Sequence, residues 1–82
     1  MSTSSPTIPA KVAAHVLWSE GLGGYPAGSF TTKLLDAWAS ADDTNAARLA
    51  AGWPEYAAAF ALMQQPGGIA RLRAIATGEV TA

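Results

Sequence analysis

Apolar side chains along this chain recur at intervals of three and four residues, and clusters of glycine and proline cut the recurrence into short segments. That spacing predicts helices, each with one apolar stripe. The first segment, Pro9 to Leu22, places Val12, Val16 and Leu17 on one side with Trp18 adjacent. Pro9 suits the first helical turn, where its missing N–H is no loss. Gly21, Gly23 and Gly24 end the segment, because glycine readily adopts the left-handed conformation that closes a helix. Ser29 is a favourable N-cap for a second helix. Phe30, Leu34 and Trp38 follow it at i, i+4 and i+8, with Leu35 broadening the stripe and Lys33, Asp36 and Ser40 elsewhere. Asp42 or Asp43 caps a third helix running through Arg48 and Leu49 to a stop at Gly52. Pro54 opens a fourth, containing Tyr56, Phe60 and Met63. Pro66-Gly67-Gly68 interrupts the pattern, and Ile69, Leu72 and Ile75 make a last short helix closed by Gly78.

No stretch sustains the alternation of a strand; Phe30-Thr31-Thr32 is too short and leads into a helical period. The expected fold is therefore all-α, a compact bundle of about five short helices. Its 82 residues allow one core. Residues 1–8, rich in Ser and Thr, read as a flexible N-terminal arm, and residues 9–82 as a single helical domain. Half of the residues are apolar, but many are alanine, which buries little area. A core this thin supplies roughly 3–5 kcal/mol, and helices this short are marginal alone. Packing of the aromatic positions must hold the fold, so Trp18, Trp38 and Trp53 are read first as core. A ligand pocket or a subunit interface is the alternative use for them. The Ala57–Leu62 run allows close helix approach, within the chain or between copies, and a homo-oligomer is the expected state.

Charge and composition narrow the function. A net charge of −1 argues against a nucleic-acid polymer as partner, since such binding needs a cationic surface to displace counterions. Arg71 and Arg73, the only local basic pair, read as a solvated helix face. The chain has no cysteine, which removes disulfides, thiolate metal sites and cysteine nucleophiles, and suits the cytoplasm. The opening residues lack the basic and apolar regions of a signal peptide. No run reaches the ~18 apolar residues of a membrane span, so no membrane partner is expected.

Candidate chemistry is sparse. His15 is the only histidine, set among apolar neighbours in the first segment, and reads as a packed or surface side chain rather than a base. A Ser29–His15–Asp36 triad can be drawn, but no nucleophile-elbow motif supports it. Asp42, Asp43 and Asn45 offer oxygen ligands without the spacing of a calcium loop, and helix capping explains them better. The expectation is no catalytic residues, no metal, no cofactor and no enzyme.

The stretch from Gly21 to Lys33 has the Gly-x4-Gly spacing of a phosphate loop between Gly23 and Gly28. Ser29-Phe30 follows instead of Lys and Ser/Thr, and no strand precedes, so it is not a P-loop. The turn is first of all a corner between two helices. A second possibility is an anion site at the start of the second helix. There Ser29, Thr31 and Thr32 offer hydroxyls, Lys33 a charge, and Tyr25 and Phe30 stacking surfaces, beside free backbone N–H groups.

Gly28-Ser29-Phe30-Thr31-Thr32, Ala41-Asp42 ahead of a helix with Asn45 and Arg48-Leu49-Ala50, and Gly52-Trp53-Pro54 together resemble small uncharacterised accessory proteins of actinobacteria and bacteriophages. The resemblance covers residues 21 to 62 and carries no site with it. It implies an interaction domain that binds a host protein in the host cytoplasm. The competing expectation is a sponge for a small anionic, nucleotide-like ligand held by Tyr25, Ser29, Phe30, Thr31, Thr32 and Lys33.

Overall fold

A computed structural model describes residues 7–80. Among them it forms five helices and no strand: α1 (Ala10–Ser19), α2 (Ser29–Ala39), α3 (Asp43–Gly52), α4 (Pro54–Met63) and α5 (Gly68–Ala76). The all-α bundle expected from the apolar spacing is the observed architecture. Its radius of gyration of 12.2 Å is that of one compact body.

The punctuation residues act much as their chemistry predicts. Past the end of α1, the Leu22 amide donates to the Leu17 carbonyl (2.9 Å) and the Gly21 amide to the Trp18 carbonyl (3.1 Å). Gly21 has φ +72°. This pair of bonds is a Schellman closure, which satisfies carbonyls the helix leaves open. Glycine at position 78 repeats it: Gly78 donates to Ile75 and Glu79 to Ala74, at 3.1 and 2.9 Å. Of the two candidate caps for α3, Asp42 is the one used, its carboxylate accepting from the Asn45 amide at 2.8 Å. Pro54 occupies the first turn of α4. Two expected starts shift by one residue. Pro9 is itself the N-cap of α1. Ser29 is the first residue of α2, not its cap; Gly28 holds that position, with no side-chain cap bond. The helix starts earlier than expected because the Gly28 carbonyl already accepts the Thr32 amide, at 2.9 Å.

The backbones of α1, α4 and α5 pack against one another, while α3 reaches only α2 and α4, and α2 only α1 and α3. The largest fully buried side chains are Leu17, Leu72, Ile75 and Val16, all aliphatic. Ala13 and Ala59 are also sealed in this cluster, so small side chains on α1 and α4 let the helices approach closely. Two glycines serve the same end. A Cβ on Gly24, which has φ +70°, would overlap the Ala14 carbonyl of α1; one on Gly68 would overlap the Leu62 carbonyl of α4.

Three expectations need correction. The tryptophans are not the core: Trp18 and Trp53 are exposed, and only Trp38 packs against it, beside Phe60 at 5.2 Å between ring centroids. A stripe of helical spacing identifies a face, but aliphatic side chains without a polar N–H fill the sealed centre with less cost. The second concerns Ile8, which the expected arm over residues 1–8 included. Residues 1–6 lie outside the described residues, but Ile8 is buried in the core beside α1 and α5. Lastly, the solvated face expected at Arg71 and Arg73 is exposed but needs an addition: the Arg73 Nε and Nη2 donate to the Leu22 carbonyl at 3.2 and 3.0 Å, fastening the end of α5 to the glycine turn.

Candidate functional site

The first turn of α2 separates the residues that the glycine turn seemed to gather. Successive helical residues advance by about a quarter turn, so five in a row circle the axis. Phe30 turns to Trp53, with ring centroids 6.2 Å apart. Thr31 is half-buried and acts on the Tyr56 phenol. Thr32 faces α1, its hydroxyl donating to the Ala27 carbonyl at 3.3 Å. Ser29 and Lys33, one turn apart, share an exposed face. Tyr25 lies before the helix, exposed, with its ring edge-on to His15 at 5.4 Å. The six residues thus occupy several directions rather than one cleft.

A different group does converge. His15, Trp18 and Ser19 of α1 stand at i, i+3 and i+4; Thr32, Leu35 and Asp36 of α2 repeat that spacing. The two triplets face each other, with Ala27 at one end, across a hollow of about 180 Å³. Ser19 donates its hydroxyl proton to the Val16 carbonyl at 2.7 Å. Asp36 is the one carboxylate in the lining.

His15 is fixed from three sides. Its Nδ1 lies 3.0 Å from the Tyr56 hydroxyl of α4. The Tyr56 ring lies nearly parallel to the imidazole, with centroids 6.4 Å apart, and Tyr25 meets it edge-on. Burial pushes the imidazole below its ordinary pKa, and the Lys11 ammonium adds to that. Burial likewise raises the Tyr56 phenol, with Glu55 adding and the Thr31 hydroxyl opposing. The His15–Tyr56 pair spans 41 residues. Local spacing cannot reveal such a pair, although the repeated i, i+3, i+4 polar triplets were visible in the sequence.

Of the residues drawn as a triad, His15 and Asp36 do line one hollow, whereas Ser29 is not in its lining. The exposed aromatic side chains form a second feature. Phe30 is 66% exposed, Trp18 52%, Tyr25 49% and Trp53 36%. Among the described residues no helix is long and apolar enough to cross a membrane. No family model, curated protein or solved structure matches the chain.

Proposed function

We propose that this chain is a non-catalytic interaction module of the phage or actinobacterial accessory type, acting in the cytoplasm as a homo-oligomer that binds a host protein. The observation that carries the reading is the display of four of the seven aromatic side chains, Trp18, Tyr25, Phe30 and Trp53, at the surface. A chain short of core material gains by burying its aromatics, and exposed ones are the groups that dominate binding energy at interfaces. Phe30 with Trp53, and Trp18 with Tyr25 on either side of His15, are the anchors it would use. The non-catalytic part is supported by the hydroxyl partners: Ser19 is bonded to a backbone carbonyl, and His15 Nδ1 to a phenol. Ser19 thus has no base beside it, and burial raises the Tyr56 phenol, the opposite of the lowered pKa that activates a nucleophile.

The test is affinity capture from host lysate alongside Phe30→Ala and Trp18→Ala. Stoichiometric recovery of one host protein, lost in both variants, is the expected result. Recovery that neither substitution alters would overturn the reading. Sedimentation at high micromolar concentration checks the self-association; a monodisperse monomer contradicts that part.

The anion sponge keeps one supporting observation: Gly28 caps α2 without a side-chain bond, leaving its first amides open to an anion. Against it, Thr32 has already given its hydroxyl proton to Ala27, and Phe30 and Thr31 turn to other partners. Thermal shift with common and cyclic nucleotides tests it, since a ligand that binds only the native state raises Tm. No shift with any of them removes it.

A further inference from the structure

Two hydroxyls on the border of the hollow between α1 and α2, Ser19 and Thr32, have their protons already engaged. A carbonyl can only accept, so the Ser19 hydroxyl must donate to Val16 and the Thr32 hydroxyl to Ala27. What each hydroxyl has left to offer is a lone pair. The Asp36 carboxylate is acceptor-only. Three acceptors therefore border one hollow, beside the indole of Trp18 and the apolar side chains of Leu35 and Ala27.

An ammonium group is the complement of that set. It carries three donors and no acceptor, and a lysine places it on a four-carbon stem that runs along apolar surface. The indole face attracts the same charge through its quadrupole. An anion would meet the Asp36 carboxylate there and find no free hydroxyl proton, only the indole and imidazole edges. At about 180 Å³ the space falls below the roughly 300–1,000 Å³ of drug-sized sites. That excludes a nucleotide but admits a single side chain. Lys11 and Lys33 lie a turn from the lining on their helices and are exposed, as are Trp18, Ser19, Thr32 and Asp36, so their repulsion offsets part of the Asp36 attraction and keeps the affinity low.

We propose that the hollow formed by Trp18, Ser19, Thr32 and Asp36 receives the ammonium head of a lysine side chain presented by the partner protein. The inference rests on the interaction reading and names the chemistry of what is bound. The Phe30–Trp53 anchor belongs to a separate pair of aromatic rings, so it supplies a way to separate the two ideas.

The experiment is an NMR titration of the full chain with N-acetyl-lysine N-methylamide, following the Trp18 indole N–H and the His15 ring resonances. Three controls run beside it: the norleucine analogue, the trimethyl-lysine analogue and the Asp36→Asn variant. The expected result is saturable shifts at Trp18 with a Kd on the order of millimolar, as suits one side chain. Norleucine should give none. Trimethyl-lysine, which keeps the charge and loses all three donors, should bind more weakly than lysine. Asp36→Asn, similar in shape and on an exposed position, should weaken lysine about threefold to fivefold. No shift with lysine, equal shifts with norleucine, trimethyl-lysine binding as well as lysine, or an unaltered Kd in Asp36→Asn would each overturn the proposal. If lysine fails while Phe30→Ala still abolishes host-protein capture, this inference falls and the interaction reading stands. If both fail, the interaction reading falls as well.

Discussion

The two halves of this molecule are built on different terms. α1, α4 and α5 pack on one another around Val16, Leu17, Leu72 and Ile75, with Ala13 and Ala59 permitting close approach. By contrast, α3 buries no residue and α2 buries only Leu34 and Leu35. Hydrophobic stabilisation follows the apolar area removed from water, so most of it lies in the three-helix half. α2 and α3 are held by less, and α2 displays Phe30 and supplies Thr32 and Asp36 to the hollow. The contrast teaches that the fold and the candidate binding surface draw on separate residues. They meet at His15, whose Nδ1 lies against the Tyr56 hydroxyl of α4 and whose ring borders the hollow.

The most severe way to break the packed half is Leu72→Ala. The side chain is fully buried, and such truncations cost about 2–5 kcal/mol. Against a total of roughly 3–5 kcal/mol for a core of this size, the variant should be largely unfolded by circular dichroism at 25 °C. Retention of a cooperative melt near the wild-type Tm would contradict the assignment of the core.

The glycine turn sharpens the comparison at its boundary. Gly23 and Gly24 both have positive φ, so alanine at either costs about 1–2 kcal/mol from backbone strain. Only at Gly24 would the new Cβ also overlap the Ala14 carbonyl, since Gly23 faces open space. Denaturant melts should therefore rank Gly24→Ala well below Gly23→Ala. Equal losses would mean that the turn is not seated on α1.

Proton linkage tests the junction itself. The folded pKa of His15 lies below its unfolded value, so the fold favours the neutral ring. Its contribution is present above the unfolded pKa of about 6.5 and is lost as pH falls through the lower folded value. Tm should drop on acidification from about pH 6.5 down through the folded value, and His15→Gln should flatten the drop. A variant with the same slope would show that His15 does not carry it. Tyr56→Phe, which keeps the ring and removes the hydroxyl, should cost about 0.5–1.5 kcal/mol.

These tests also mark what was legible in the sequence. Helix ends were readable because glycine and proline act locally: Gly21 and Gly78 close helices through bonds to residues three and five back. The choice of core was not. Periodicity placed Phe30 and Trp38 on a stripe with Leu34, yet the stripe is wider than the face that neighbouring helices cover, and Phe30 stays outside. The hollow was half legible. Its two triplets have visible spacing, but nothing local says that His15 and Thr32 face each other, or that Tyr56 caps the imidazole from α4. Ser29 to Lys33 looked like a cluster because they are adjacent in sequence, and adjacency on a helix disperses side chains.

The smallest effect is expected where function is proposed. Phe30→Ala removes a side chain that is mostly in water, so stability should change by no more than about 0.5 kcal/mol. A loss of several times that size would make Phe30 a structural residue and remove it from the binding surface.

Amide hydrogen exchange of the intact chain, read residue by residue by NMR, tests the division of labour most directly. Amides in α1, α4 and α5 should exchange only through global unfolding, with free energies that match the denaturant melt. Those of α3, and of α2 outside the Leu34–Leu35 turn, should exchange through local openings at lower free energy. Equal protection across all five helices would contradict the account, because the α2 side of the binding surface would then be part of the core's own cooperative unit.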